Sequence, residues 1–189
     1  IEQLFGNEGV DFIVGGMGHD NINGGDGADI LIGNECEDWI NGENGVDFAF
    51  GLTDDDKITG GDNPDFLAGG DGFDNVSGNN SLDIILGGDK DDKLFGGVDS
   101  DLIIGGNGND EIQGNQAADL IFGKDGIDTI YGDDNTFSGN DGINMLVGGD
   151  QDDMIFGGEN SDVILGGKNN DTIFGKGGSD VLIGMGDKD

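Results

Sequence analysis

The sequence predicts an all-β chain, a parallel β-solenoid of nine-residue units with two units to a coil and about ten coils. Three observations predict it. Stepping by nine from Asp11 meets Asp20, Asp29, Asp38, Asp47, Asp56, Asp65, Asp74, Asp83, Asp92, Asp101, Asp110, Asp119 and Asp128. After one break the series resumes at Asn144, Asp153, Asp162, Asp171, Asp180 and Asp189, and Glu2 stands one step ahead of it. An aliphatic residue follows two places after each position but the last, as Ile13, Leu31, Ala49 and Leu67 do, and from Gly6 onward a glycine stands five places before each.

Each element of the unit G-x-x-x-x-D-x-[aliphatic]-x has a physical reason. The three residues after the acid, apolar in the middle, make a very short strand with one side chain inward. The glycine-led hexapeptide turns the chain back, because Gly, Asn and Asp supply the positive φ that such turns need. Nine residues cannot close a coil and eighteen can, so each strand pairs in parallel with the strand two units on. The core is then a thin ladder of aliphatic side chains. Residues 1–189 read as a single array. "GDDNTFSGNDGIN" (132–144) is a turn lengthened by seven residues, after which the alternation resumes in phase. The weakest turns are expected at "GNQAAD" (114–119) and "GNNSLD" (78–83), where Ala118 and Leu82 tolerate left-handed backbone poorly. Asn144 replaces the acid altogether.

Composition sets the next constraint. The chain carries 42 Gly and 41 Asp+Glu against 7 Lys+Arg, a formal charge of −34, with one Pro, one Cys and one His. A third of the residues are hydrophobic, eleven of them Phe, which argues against disorder. Nucleic acid and anionic membranes are poor partners for such a charge. No apolar run approaches the ~20 residues of a membrane span. The opening "IEQLFGNEG" lacks the basic and apolar segments of a secretory leader. The lone Cys36 excludes an internal disulfide. Aspartates stacked coil upon coil, about 4.8 Å apart, repel one another strongly. A hard divalent cation between coils relieves this, and calcium, which takes carboxylate and main-chain carbonyl oxygens in flexible geometry, fits glycine-rich turns. The candidate ligands are the aspartates of the series from Asp11 to Asp180.

Four units, "GGMGHDNIN" (15–23), "GGDGADILI" (24–32), "GGDGFDNVS" (69–77) and "GGNGNDEIQ" (105–113), read G-G-x-G-x-D-x-U-x, with U aliphatic. By these the chain resembles the RTX (repeat-in-toxin) calcium-binding β-rolls, the long surface or filament arrays of the oscillin-like kind among them. The resemblance implies a right-handed parallel β-roll, with calcium between units n and n+2 held by the motif Asp and turn carbonyls. Up to about 18 ions in two columns would nearly cancel the charge. It also implies an exported protein, extracellular or at the cell surface, that folds on meeting calcium.

The two sets of units differ. One set carries FIV, ILI, FAF, FLA, IIL, LII and LIF, apolar on both faces; the other carries NIN, WIN, KIT, NVS, KLF, EIQ and TIY, apolar only inward. Phe12, Ile30, Phe48, Phe66, Ile84, Leu102, Leu120, Val163 and Val181, with their partners two residues on, form an outward apolar patch of order 500 Å². A monomer rarely leaves such a patch in water, so self-association or another protein is expected there. Trp39, Phe95, Tyr131, Phe156 and Phe174 read as isolated aromatics on the other sheet. No capping repeat is visible at either end, which suggests a segment of a longer array or end-to-end stacking into a fibre. No catalytic constellation rises above the repeat, and His19 sits alone in a turn. The expected function is a calcium-dependent structural protein, not an enzyme: a surface layer, adhesin stalk or filament subunit. The alternative is the carboxy-terminal export and folding module of a secreted protease, lipase or epimerase.

Overall fold

A computed structural model describes residues 1–133 and 141–186 of the chain. It contains twenty strands, β1 (Gln3–Glu8) to β20 (Val181–Ile183), and no helix among the described residues. Odd-numbered strands form one ten-stranded parallel sheet and even-numbered strands the other. Within each sheet the register is offset by 18 residues, Leu31 pairing with Ile13 on one side and Ala49 on the other. The architecture is a β-roll of two sheets, two units to a coil. Among the described residues no helix is long and apolar enough to cross a membrane.

The break in the repeat is absorbed within one coil. Between β15 (Thr129–Asp133) and β16 (Met145–Asp150) the chain carries the insertion, and across it the register offset becomes 25, with Leu120 facing Met145 and Thr129 facing Met154. Eighteen plus the seven inserted residues restores the stack. Residues 134–140 of the lengthened turn, and Asp189 at the end of the acid series, lie outside the described residues.

The inward residue of each strand builds the core. Ile22, Leu31, Ile58, Leu67, Ile85, Leu94, Ile103, Ile112, Ile121, Ile130 and Leu146 have no solvent exposure, while Leu4, Ile13 and Ile173 at the ends are only partly covered. The core is one side chain deep from each sheet, so a lost rung cannot be refilled from a second layer. Ile103→Ala is expected to lower stability by about 2–5 kcal/mol, read as the shift of the denaturation midpoint in saturating calcium. A shift under about 1 kcal/mol would show that the ladder repacks.

Three expectations need correction. From β1 to β19 the strands are five or six residues long rather than three, and only β20 has the expected three. Each of β1 to β19 runs on through the first glycine of the next unit, and pairing continues past it in most of them, as at Gly16 with Asn34 and Met17 with Glu35. The chain reverses within about three residues instead of six. Left-handed backbone falls on the second and fourth residues of a unit. In the two weak turns it is therefore Ala117 (φ 71°) and Ser81 (φ 78°), not Ala118 and Leu82, that carry the strain, about 1 kcal/mol each. Finally, Tyr131, Phe156 and Phe174 are not isolated. Their rings stack with centroids 4.9 and 5.0 Å apart, nearly parallel, because the insertion brings position 156 over 131.

The outward ladder of the even-numbered sheet lies on the surface: Phe12, Ile30, Phe48, Met145, Val181 and Ile183 are exposed, and Phe66, Ile84, Leu102, Leu120 and Val163 are half-buried by their neighbours.

Candidate metal centre

The acid of each unit sits just before its strand, at the inner edge of the turn, where the coil above covers it. Every motif aspartate from Asp20 to Asp171 is buried. Its two carboxylate oxygens have different surroundings. Oδ1 accepts a backbone N–H from the equivalent residue one coil earlier: Asp29 from Asp11 at 2.8 Å, Asp38 from Asp20 at 2.7 Å, Asp153 from Asp128 at 2.9 Å. The main-chain carbonyl of the same residue accepts the first N–H of the strand one coil on, as Asp11 does from Ile30 at 2.9 Å. The sequence names the motif Asp as a metal ligand without distinguishing its two oxygens; one of them belongs to a hydrogen-bonded ladder between coils. The 18-residue period would have revealed that ladder only with the turn's geometry in hand.

Oδ2 has no such partner. In Asp11, Asp20, Asp29, Asp38, Asp47, Asp56, Asp65, Asp74, Asp83, Asp92, Asp101, Asp110, Asp119, Asp128, Asp153, Asp162 and Asp171 it is buried and makes no hydrogen bond. Natural proteins rarely leave a charged oxygen that way. Each of these atoms points into the space beside the first glycine of its unit. A Cβ built on Gly24 would lie 2.5 Å from Asp29 Oδ2 and 2.8 Å from the Gly42 carbonyl oxygen; one on Gly157 would lie 2.5 Å from Asp162 Oδ2 and 2.7 Å from the Gly175 carbonyl oxygen. Neither glycine has a positive φ. Glycine stands there for room: any side chain would fill the place where the orphaned carboxylate and the carbonyl of the next coil converge.

Electrostatics sharpen the point. Burial, above all, pushes Asp56, Asp92 and Asp119 up to about 8. It lifts Asp65, Asp83, Asp101, Asp128 and Asp153 to about 7, and Asp74, Asp110 and Asp162 to about 6. Asp38 and Asp47 are raised for the same reason. The ladder N–H opposes this, and stacked aspartates one coil away, such as Asp74 and Asp38 about Asp56, add repulsion. Loss of water therefore outweighs the like-charge stacking that the sequence suggested as the dominant problem. Either way, an ionised column needs a compensating cation.

The residues present fit calcium. Among the described residues no three His, Cys, Asp or Glu side chains converge on a point, so a zinc-type cluster is not what they form. One or two carboxylate oxygens with main-chain carbonyls are an all-oxygen set suited to a hard ion. Carbonyl donors leave no trace in residue identity, and for that reason they are invisible to a search for clustered side chains.

A family model, that of the RTX calcium-binding nonapeptide repeat in four copies, matches at residues 3–22, 14–49, 41–76, 77–112, 113–136, 131–164, 138–173 and 165–189. No curated protein matches the chain.

Proposed function

The chain belongs to the RTX calcium-binding nonapeptide repeat family, whose repeats bind calcium, and from that premise we propose that it is a calcium-dependent structural element of the cell exterior, a surface-layer, stalk or filament protein. The observation that carries the calcium dependence is the row of seventeen buried, unbonded Oδ2 atoms among the described residues. Bound calcium would supply positive charge and open coordination positions for these oxygens and the glycine carbonyls of Gly42, Gly60, Gly78 and their equivalents. One divalent ion for each of the seventeen oxygens would balance the formal charge of −34. Extracellular calcium modules have Kd near 10⁻⁴–10⁻³ M, so such sites fill outside a cell and stay empty where calcium is scarce.

The proposed role is mechanical rather than catalytic. A stack held by cations at every coil is stiff along its axis, and its even-numbered sheet offers a continuous apolar strip. Two copies meeting across strips of about 500 Å² each would bury about 1,000 Å², the lower bound of specific interfaces. Lateral association in calcium is therefore expected, visible by sedimentation velocity. The double variant Ile84→Lys/Leu102→Lys should remain monomeric while keeping the calcium-induced circular dichroism of the parent. Association that survives these lysines would place the contact elsewhere.

A further inference from the structure

One rung departs from the pattern. In the column running from Asp11 to Asp180, Asn144 stands between Asp119 and Asp162. Its Oδ1 accepts the Asp119 N–H at 2.8 Å, and its own N–H donates to Asp162 Oδ1 at 2.8 Å, so the ladder between coils is unbroken. That bond fixes the orientation of the amide. With Oδ1 on the ladder, Nδ2 occupies the place where neighbouring rungs present an unbonded Oδ2. The space beside Gly132 is accordingly lined by Asn144 Nδ2 and the Gly157 carbonyl. Gly132, not the Gly139 that stands five residues before Asn144, is thus the first glycine of this unit.

Nδ2 has a partner of its own. It donates to Asp133 Oδ1 at 2.8 Å, and Asp133 Oδ2 accepts the Glu159 N–H of the next coil at 2.8 Å. Both residues are buried, Asn144 at 1% and Asp133 at 4% exposure. Asp133 belongs to no position of the acid series, so periodicity alone passes over it. We propose that Asn144 and Asp133 form a plug that excludes calcium from this one position, splitting the first column into two blocks and replacing the ion with hydrogen bonds between protein groups. An amide N–H₂ turns protons toward an incoming cation, and both oxygens of Asp133 are already engaged. The placement has a structural logic. Asp133 and Asn144 flank the seven-residue insertion, so the same bond ties its two stems together. Beside them Ala117 and Asp141 form a parallel bridge, and Asn160 Nδ2 donates to the Asp141 carbonyl.

This inference rests on the calcium reading above. Native mass spectrometry of the calcium-saturated chain counts the ions directly. Asn144→Asp is expected to bind one ion more than the parent. Asp133→Ala is expected to bind the same number as the parent, with a melting temperature several degrees lower as the clamp is lost. An unchanged count in Asn144→Asp, or one ion fewer in Asp133→Ala, overturns the plug while leaving calcium binding intact. A parent chain that binds no calcium sinks both.

Discussion

Chelating calcium at pH 7.5 is expected to unfold the roll into a coil, with loss of the β-sheet circular dichroism signal, and restoring about 10 mM calcium is expected to bring it back. The size of the effect follows from mass action. With Kd near 1 mM, 10 mM ion stabilises the folded state by about 1.4 kcal/mol for each site. About a dozen such sites exceed the whole stability of an ordinary domain, about 5–15 kcal/mol. Without the ion, each buried ionised carboxylate costs several kcal/mol, and Asp56, Asp92 and Asp119 lie in the middle of the stack, where no fraying relieves them. Titrating calcium should give a steep transition, because a coil contacts only its neighbours and each ion joins two of them. A chain that keeps its parallel-strand signature in excess EDTA at this pH would overturn the account.

Acid should partly substitute for the metal. The motif carboxyls of the middle coils, Asp56, Asp65, Asp74, Asp83, Asp92, Asp101, Asp110, Asp119, Asp128, Asp153 and Asp162, have folded-state values of about 6 to 8, against 3.8 for the unconstrained group. A carboxyl raised on folding makes the folded state the better proton acceptor. The penalty for burying its charge is complete above about pH 8, begins to shrink as pH falls through the 6–8 window where the buried groups take up protons, is much reduced at pH 5, and is gone only at the unfolded value of 3.8. Below 3.8 the unfolded chain is protonated as well, and no further gain follows. The calcium-free chain, unfolded at pH 7.5, is therefore expected to recover β-structure on titration to pH 5, at low concentration because its isoelectric point is near 4.1. Calcium affinity runs the opposite way, since binding requires the ionised carboxylate and releases protons between pH 6 and 8. Circular dichroism in EDTA across this range checks the first half and calorimetry in two buffers the second. Equal disorder at pH 5 and pH 7.5 would show that burial of the carboxylates is not what keeps the metal-free chain unfolded.

Most of the fold was legible in the chain itself, because a nine-residue period with one inward aliphatic leaves few ways to bury apolar surface. Eighteen residues to a coil, parallel pairing two units on, the core ladder through Ile22, Leu31 and Ile103, and the in-phase resumption at Met145 all follow from spacing. The acid series marked the buried carboxylate columns for the same reason: a side chain repeated at one register position must stack.

What spacing could not supply was the surroundings of individual atoms. That Asp29 Oδ1 accepts the Asp11 N–H while Oδ2 stays bare depends on how one turn overlies another. That Gly24 serves as empty space rather than as a flexible joint depends on the Gly42 carbonyl one coil away. Ala117 rather than Ala118 is strained because of where the bend falls within a six-residue strand and its short return. Asp133 shows the division most clearly. Local sequence makes it one acid among forty-one, and only the closing of an insertion brings it within hydrogen-bonding reach of Asn144. Periodicity determines which residues stack, since stacking is a property of the repeat. The coils' contact in three dimensions decides which polar atoms lose water and which partner each then finds.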